Sequence, residues 1–91
     1  MKFDWNPDKA RGNVAKHQVS FQEAATVFDD PLSITFPDPQ HSIGEVRLVI
    51  IGQSQNGRLL FVAHTDRGDL TRIISAREVT RREQRIYEEF V

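Results

Sequence analysis

The Asn56-Gly57 pair is the feature of this sequence that most constrains its fold. It lies between two apolar runs, residues 46–51 and 59–65. Asparagine followed by glycine favours the positive φ angles of a tight hairpin turn, and short apolar runs on either side of such a turn are typical of strands. The sequence therefore predicts an antiparallel hairpin in the middle of the chain.

Other segments extend this hairpin into a larger sheet. An apolar, β-branched run occupies residues 32–36, and another occupies residues 70–76 after the turn sequence "DRGD". A polar loop over residues 37–44 leads into the hairpin, and residues 3–5 are compatible with a further, very short strand. These segments predict a four-stranded antiparallel meander between residues 32 and 77.

Three signals for the start of a helix flank the predicted strands. Asn6 precedes a proline, which is the pattern of an N-cap followed by proline at the first helical position. Ser20 and Thr80 are each followed three residues later by a glutamate, the spacing of a capping box. These signals predict helices over residues 7–17, 21–28 and 80–90.

The order of these elements predicts an α+β fold with two N-terminal helices, a four-stranded antiparallel sheet and a C-terminal helix. A chain of 91 residues is long enough for one domain, residues 1–91, and too short for two. Helices that cover one face of an antiparallel sheet leave the other face partly open. We therefore expect a functional surface on the uncovered sheet face.

Composition narrows the classes of function. Lysines and arginines number 12 against 13 acidic residues, so any site for a polyanion must be a local patch. The absence of cysteine excludes disulfides and cysteine-built zinc sites, and it suits a cytoplasmic protein. The first residues lack the apolar core of a signal peptide, and no apolar run is long enough to cross a bilayer. Asp38 and His41 lack a convincing third ligand, so no metal or other cofactor is predicted.

Strand alternation groups several polar residues. Two-residue turns at Asn56-Gly57 and Arg67-Gly68 would set the pairing of the last three strands. With that pairing, Arg72 falls on one sheet face unless a bulge intervenes. The opposite face carries Arg47, His64, Ser75 and Arg77.

Arginine and histidine on one open face suit cleavage of an RNA phosphodiester. Arginine binds phosphate through two parallel hydrogen bonds, and histidine exchanges a proton near neutral pH. A base can take the proton of the 2′-hydroxyl, cations can hold the charge on phosphorus, and an acid can protonate the leaving oxygen. The alternative for each residue alone is a structural one, with the arginines paired to Glu45 or Asp66 and His64 half-buried in the sheet.

Two further groups of residues are open to two interpretations. Lys16 and His17 end the first helix, where cations complement the helix dipole, or they lie at the rim of the same site. Glu45 acts as a general base, or it pairs with Arg47 or another arginine. The arginines of the last helix are typical of a solvated helix face; these are Arg81, Arg82 and Arg85.

Three stretches carry a resemblance to a known family. They are "FDWNPDKARGNVAKHQVSFQEAATVFDDP", "GEVRLVIIG" and "HTDRGDLTRIISAREVTRRE", which together span most of the chain. In this order, they resemble the BrnT-type toxins of bacterial type II toxin–antitoxin systems. The family pattern has glycine after Lys-His, whereas this chain has Gln18, a residue that does not favour a left-handed helix cap.

The resemblance implies a RelE-like fold and an RNA-cleaving growth inhibitor. It also implies a small DNA-binding, BrnA-like antitoxin as partner, with operator DNA bound only through that antitoxin. By motif, it implicates Lys16 and His17 of "KH", Glu45 and Arg47 of "GEVR", Arg67 of "TDR", and Arg72 and Arg77 of "RIISAR".

Two hypotheses from different classes follow. The first is a metal-independent endoribonuclease toxin, and the second is a non-catalytic module that binds a protein through the open sheet face. The cluster of histidine and arginines favours the first, because a protein interface does not need it. The predicted catalytic residues are His64, His17, Glu45 and Arg77. The predicted RNA-binding residues are Lys16, Arg47, Arg67 and Arg72.

Overall fold

The computed structural model describes residues 1–90 and shows a five-stranded mixed sheet with helices on both faces. The strands are β1 Lys2–Asp4, β2 Ile34–Pro37, β3 Leu48–Gln53, β4 Leu59–Arg67 and β5 Leu70–Glu78. The helices are α1 Pro7–His17, α2 Phe21–Thr26 and α3 Arg81–Glu89, with short 3-10 helices at Val27–Asp29 and Pro39–His41. No helix within residues 1–90 combines the length and the apolar character needed to span a membrane.

The predicted meander is confirmed, but the sheet contains one more strand. Its strand order is β1-β5-β4-β3-β2, and every neighbouring pair is antiparallel except β1 with β5, which is parallel. The prediction of a four-stranded, purely antiparallel sheet was therefore wrong. The N-terminal strand is added because Phe3 packs against the core while its backbone pairs with β5 opposite Thr71.

All three helix starts form the caps that the sequence predicts. The Asn6 side chain accepts hydrogen bonds from the backbone N–H groups of two residues in the first turn of α1. Ser20 caps α2 by accepting from the Glu23 N–H at 3.0 Å. Thr80 and Glu83 cap α3 reciprocally in a capping box. These caps fix where each helix begins and so explain why the boundaries could be read from the sequence.

Gln18 caps the C terminus of α1 in the left-handed conformation, with a φ of 57°. This differs from the expectation that the loss of glycine removes such a cap. The Gln18 N–H donates to the Val14 carbonyl at 2.9 Å, and the Gln18 carbonyl accepts from Arg58 at 2.9 Å. These bonds offset the cost of about 1–2 kcal/mol for a left-handed non-glycine residue.

The hydrophobic core lies between one face of the sheet and the helices α1 and α2. We call this the core face. Its sheet residues are Ile50, Leu60, Val62, Ile73 and Ala76, and its helix and loop residues include Val19, Phe21, Ala24 and Val27. The opposite face, which we call the cleft face, carries Val49, Ile51, Phe61, Ala63, Ser75 and Arg77 by the strand register.

The two predicted turns were each displaced by one residue or more. β3 and β4 pair up to Gln53 and Leu59, and the Ser54 N–H closes the loop on the Arg58 carbonyl at 2.7 Å. β4 and β5 pair up to Arg67 and Leu70, so the turn lies at Gly68-Asp69 rather than at Arg67-Gly68. A shift of one residue moves every side chain of a strand to the other face. The side chains of β4 therefore lie on the opposite faces from those predicted relative to β3.

A β-bulge in β5 sets the faces of the last strand. Ala63 pairs with Ser75, but the next residue, His64, pairs with Ile73, which leaves Ile74 as an extra residue. Because of it, Ile73 and Ala76 both point into the core although they are three residues apart. The bulge also returns Arg72 to the cleft face. The prediction that Arg72 and Arg77 lie on opposite faces was thus wrong.

Helix α3 packs on the cleft face rather than beside the other helices. Ile86 and Phe90 border a groove with Ile34 and Phe36 of β2, and the Tyr87 hydroxyl donates to the Asp30 carboxylate at 2.7 Å. The expectation that helices cover only one face was therefore wrong. The capping box starts the helix directly after β5, so its apolar side folds back over β3 and β2. Helix α3 covers part of the cleft face, and the rest of that face is open.

Asn13 closes part of one sheet edge. β1 covers β5 only at residues 70–72. Beyond it, the buried Asn13 side chain donates to the Ala76 carbonyl at 2.8 Å and accepts from the Ala76 N–H at 3.1 Å. The Asn13 amide thereby pairs backbone groups of β5 as a neighbouring strand would.

A buried ion pair joins α2 to the loop between β3 and β4. The Glu23 carboxylate, 8% exposed, accepts from the Arg58 Nε at 3.0 Å and from the Ser54 hydroxyl at 2.7 Å. The hydrogen bonds from Arg58 hold the pKa of Glu23 below its ordinary value of 4.5, against the opposing effect of burial. The charged form of Glu23 therefore stabilises the folded chain.

We expect Glu23→Gln to destabilise the protein at neutral pH by about 1.5–3 kcal/mol, the scale of hydrogen bonds to charged groups. Because the folded-state pKa is lowered, the stabilisation by Glu23 is complete above its unfolded pKa of about 4.5 and is lost as the pH falls through the folded value. Urea unfolding of both proteins at several pH values should show the difference narrowing below that pH. Glu88→Gln, at an exposed position of α3, is the matched control. A difference that stays constant down to acid pH would contradict the assignment.

Candidate functional site

The cleft face carries a cleft of about 450 Å³ beside α3. It lies on the side of the sheet away from the core, where the strand register brings residues of β3, β4 and β5 together. Its lining residues are Phe36, Pro37, Asp38, His41, Arg47, Val49, Phe61, Ala63, Ser75 and Arg77.

Small side chains form the floor of the cleft. Ala63 is paired with Val49 on one side and with Ser75 on the other, so this row crosses the middle of the sheet. The next row contains Phe61 and Arg77, whose side chains are larger. The surface is concave because short side chains at the centre are surrounded by longer ones.

The loop between β2 and β3 brings two chemically active residues to the cleft. The Asp38 N–H donates to the Arg47 carbonyl at 2.9 Å, which continues the β2–β3 pairing by one step. The Ser42 hydroxyl donates to the Asp38 carbonyl at 2.8 Å and accepts from the Arg47 N–H at 3.0 Å. The base of this loop is therefore fixed by its own backbone, with His41 and Arg47 at the same cleft.

Arg47 differs from the other arginines of this surface. Its Nε is buried and has no hydrogen-bond partner within residues 1–90, and no carboxylate in that range forms an ion pair with it. A buried donor without a partner costs about 1–3 kcal/mol. No carboxylate within residues 1–90 neutralises this guanidinium, so its charge is available to an anion in the cleft.

Arg77 lines the cleft but is held by the protein. Its guanidinium donates to both oxygens of Glu83 at 2.8 and 2.9 Å and lies 4.1 Å from the centre of the Phe61 ring. The hydrogen bonds raise the pKa of Arg77 and lower that of Glu83. The structural alternative from the sequence paired this arginine with Glu45 or Asp66, whereas its partner in the structure is Glu83. The pair fastens the start of α3 to β5.

Three other predicted site residues lie on the cleft face beyond the cleft itself. Arg67 donates to Glu45 at 3.1 Å, and Arg72 donates to Asp4 at 2.8 Å. The pairing of Glu45 with an arginine is one of the two alternatives that the sequence left open, although the partner is Arg67. These ion pairs extend the charged surface along β4 and β5.

His64 is not part of the cleft. It is 2% exposed on the core face, where its ring lies 4.9 Å from that of Phe28, and burial lowers its pKa. The prediction that it shares a face with Arg47 and Arg77 was wrong, because the loop from Ser54 to Arg58 shifts the register of β4 by one residue. His64 fills space in the core instead.

The end of α1 does not reach the cleft either. Lys16 is exposed and His17 is half-buried, and neither belongs to the residues that line the cleft. As cations in the last turn of α1, they complement the dipole of the helix. The structural interpretation of this pair is therefore the one that the geometry supports.

Sequence reasoning missed the pairing of His41 with Asp38. The His41 Nδ1 lies 2.8 Å from an Asp38 carboxylate oxygen, at the mouth of the cleft. Asp38 directly precedes a short 3-10 helix, Pro39–His41, and His41 is its last residue. An acidic residue three positions before a histidine, with a proline between them, is the signal that could have found this pair.

No group of three or more metal-ligating side chains occurs among the residues that the structure describes. The chemically active side chains that line the cleft include arginine, histidine and aspartate. Arginine binds an anion, and a histidine with a carboxylate partner moves a proton.

The fold and the cleft define a small α+β protein with a local cationic surface that is suited to a phosphate ligand. The chain belongs to the BrnT family, because the family model described as "Ribonuclease toxin, BrnT, of type II toxin-antitoxin system" matches residues 5–83. The resemblance read from the sequence is thus confirmed.

One solved structure is similar over nearly its whole length. It is the crystal structure of the ribonuclease toxin BrnT of Brucella abortus, with 24% sequence identity and a TM-score of 0.69. The match covers 89% of this chain and 99% of that chain, and it shows that the two share a fold. A comparison with curated protein sequences found no match.

We expect Arg77→Ala to lower the stability of the fold, since it removes two charged hydrogen bonds and leaves Glu83 half-buried without its partner. The loss should be about 1.5–3 kcal/mol, measured by thermal or urea unfolding. Arg81→Ala, at an exposed position of α3, should change stability by less than about 0.5 kcal/mol. Equal stability of the two variants would show that the pair does not fasten α3.

Proposed function

We propose that this chain is the toxin of a type II toxin–antitoxin system and that it cleaves RNA at the cleft without a metal ion. Cleavage of cellular RNA inhibits growth, and a cognate antitoxin neutralises the chain. Membership of the BrnT family supports the class of activity. The unpaired Arg47 in the cleft is the observation that carries the location of the site.

Arg47 supplies the contact with the scissile phosphate. A guanidinium donates two parallel hydrogen bonds to phosphate oxygens, and these strengthen as negative charge grows on phosphorus. No carboxylate within residues 1–90 competes with a phosphate for the Arg47 guanidinium. Arg77 lies at the same cleft, where Glu83 holds its guanidinium in place and offsets its charge.

The surface around the cleft suits the rest of an RNA strand. Phe36 lines the cleft with an aromatic ring, and stacking of a base on such a ring contributes about 1–3 kcal/mol. Arg67 and Arg72 lie farther along the cleft face and are partly exposed, so they contact the phosphates that flank the scissile one. Their ion pairs with carboxylates make these contacts weaker than that of Arg47.

The antitoxin carries the DNA contacts of the complex. This chain has a formal net charge of −1, and its exposed arginines are offset by nearby acids. Affinity for duplex DNA depends mainly on neutralising phosphates. We therefore assign operator binding to a small DNA-binding antitoxin, with the toxin bound to it.

The alternative is a non-catalytic module that binds a protein through the same region. The apolar groove between β2 and α3 favours a protein contact there, because Phe90 is 72% exposed beside Ile34 and Ile86. That groove adjoins the cleft at Phe36 but contains no arginine or histidine. It suits an antitoxin as well as any other protein, so it does not weigh against cleavage.

We expect the purified chain to cleave total RNA in the presence of EDTA, and Arg47→Ala to reduce cleavage about 10²–10³-fold, as loss of one donor to a developing oxyanion does. Arg47→Lys should restore part of the activity. Arg11→Ala, on the exposed side of α1, should cleave like the parent. The activity readout is kcat/KM on a labelled RNA. Thermal melting is the control for folding: none of the three variants should melt clearly below the parent, and Arg47→Ala should melt at the same temperature or slightly higher, because it removes a buried donor without a partner.

Two results would contradict the proposal in different ways. If the parent chain does not cleave RNA under any of these conditions, the assigned activity is wrong. If the parent cleaves but Arg47→Ala cleaves equally well, the activity stands and the site lies elsewhere.

A further inference from the structure

The cleft contains a histidine that is oriented by a carboxylate. The Nδ1 of His41 lies 2.8 Å from the Asp38 Oδ2. With the Nδ1 proton donated to this carboxylate, the neutral ring presents an unprotonated Nε2, which is the tautomer of a general base. No side chain or backbone group within residues 1–90 forms a hydrogen bond with Nε2.

The position of this pair relative to Arg47 is set locally. Asp38 and Arg47 are joined through their backbone, and the Ser42 hydroxyl connects the two a second time. A proton acceptor and a phosphate-binding group therefore share one short loop and one cleft. The charged groups that line the cleft around His41 are Asp38, Arg47 and Arg77.

The other two histidines are placed elsewhere. His64 is buried on the core face, and His17 lies at the end of α1 away from the cleft lining. His41 is 63% exposed at the side chain, so a polynucleotide can reach it. Within the part of the chain that the structure describes, it is the histidine available to the cleft.

We propose that His41 is the general base of RNA cleavage and that Asp38 is its positioning residue, an assignment that rests on the proposed function. His41 Nε2 takes the proton of the 2′-hydroxyl, and the 2′-oxygen forms a bond to phosphorus. The bond from phosphorus to the 5′-oxygen breaks with its electron pair, and that oxygen takes a proton from water. The products are a 2′,3′-cyclic phosphate and a 5′-hydroxyl, and the His41 imidazolium, stabilised by Asp38, returns its proton to solvent.

The test compares the parent chain with His41→Gln and His41→Ala in EDTA. The substrate is a random-sequence RNA oligonucleotide pool, and the same pool with 2′-O-methyl ribose serves as an uncleavable probe of binding. We expect His41→Gln to lower kcat about 10²–10⁴-fold, the range of general acid–base catalysis. Its affinity for the 2′-O-methyl pool should stay within about twofold of the parent value, because Arg47 remains in place.

Two signatures separate proton transfer from a structural role. The pH profile of the parent should fall on its acidic side as the base is protonated, and this limb should be absent in the residual activity of His41→Gln. Added imidazole should restore part of the cleavage by His41→Ala, since a free base can occupy the vacated space. Asp38→Asn should lower kcat in the same direction, while Asp69→Asn, at the exposed β4–β5 turn, should not.

Each outcome decides the assignment. Normal cleavage by His41→Gln, or a loss of 2′-O-methyl RNA binding in proportion to the loss of cleavage, overturns it. So does a large loss in His17→Gln with none in His41→Gln. Absence of cleavage by the parent chain instead overturns the proposed function. A melting temperature of His41→Gln equal to that of the parent verifies that the exposed position is not needed for folding.

Discussion

The extra residue in β5 opposite Ala63 and His64 is the constraint on which the two sheet faces depend. Burying a large aliphatic side chain stabilises a fold by about 1.5–3 kcal/mol, and the bulge lets both Ile73 and Ala76 contribute to the core. The same shift of one residue decides the sheet face on which Arg72 and Arg77 lie. Packing of the core thus decides which charged side chains reach the cleft face, and the surface chemistry follows from it.

The arginines of the cleft face fall into two kinds according to their partners. Arg67, Arg72 and Arg77 each have a carboxylate within the chain, which satisfies donors and holds the guanidinium in place. Arg47 has none among residues 1–90, and one of its donors is desolvated. A new anion gains most from the guanidinium that has no competing carboxylate. Binding strength is therefore concentrated at one point, while the paired arginines shape the surface around it.

Local signals in the sequence correctly predicted where the helices begin. The sheet face of each side chain was predicted less well, because it depends on pairing between segments that are distant in the sequence. The helix starts at Asn6, Ser20 and Thr80 depend on contacts within one turn, so spacing alone revealed them. The face of His64 depends on how the loop from Ser54 to Arg58 closes, and a difference of one residue there moves the side chain from the surface to the core.

The sequence predicted only part of the candidate site. Arg47 and Arg77 were placed on a common open face because two errors cancelled. The loop between β3 and β4 shifts the register by one residue, and the bulge in β5 shifts Arg77 by one residue more. The loop bearing Asp38 and His41 has no periodic pattern, so its approach to Arg47 could not be read from strand alternation. The ion pair between Arg77 and Glu83 joins β5 to α3, which packs on the cleft face, and composition and spacing leave this packing undetermined.

The side-chain amide of Asn13 has a consequence for self-association. Fibres built by strand addition grow without limit only when both edges of a sheet accept a new strand. On one side of this sheet, the edge strand β1 is only three residues long. Beyond β1, the Asn13 side chain forms hydrogen bonds with the backbone of β5. The outer strand on the other side is β2. Pairing of two copies edge to edge through β2 would leave each copy with the edge of the three-residue strand β1, which is too short to add a further strand, so such an assembly ends at a dimer.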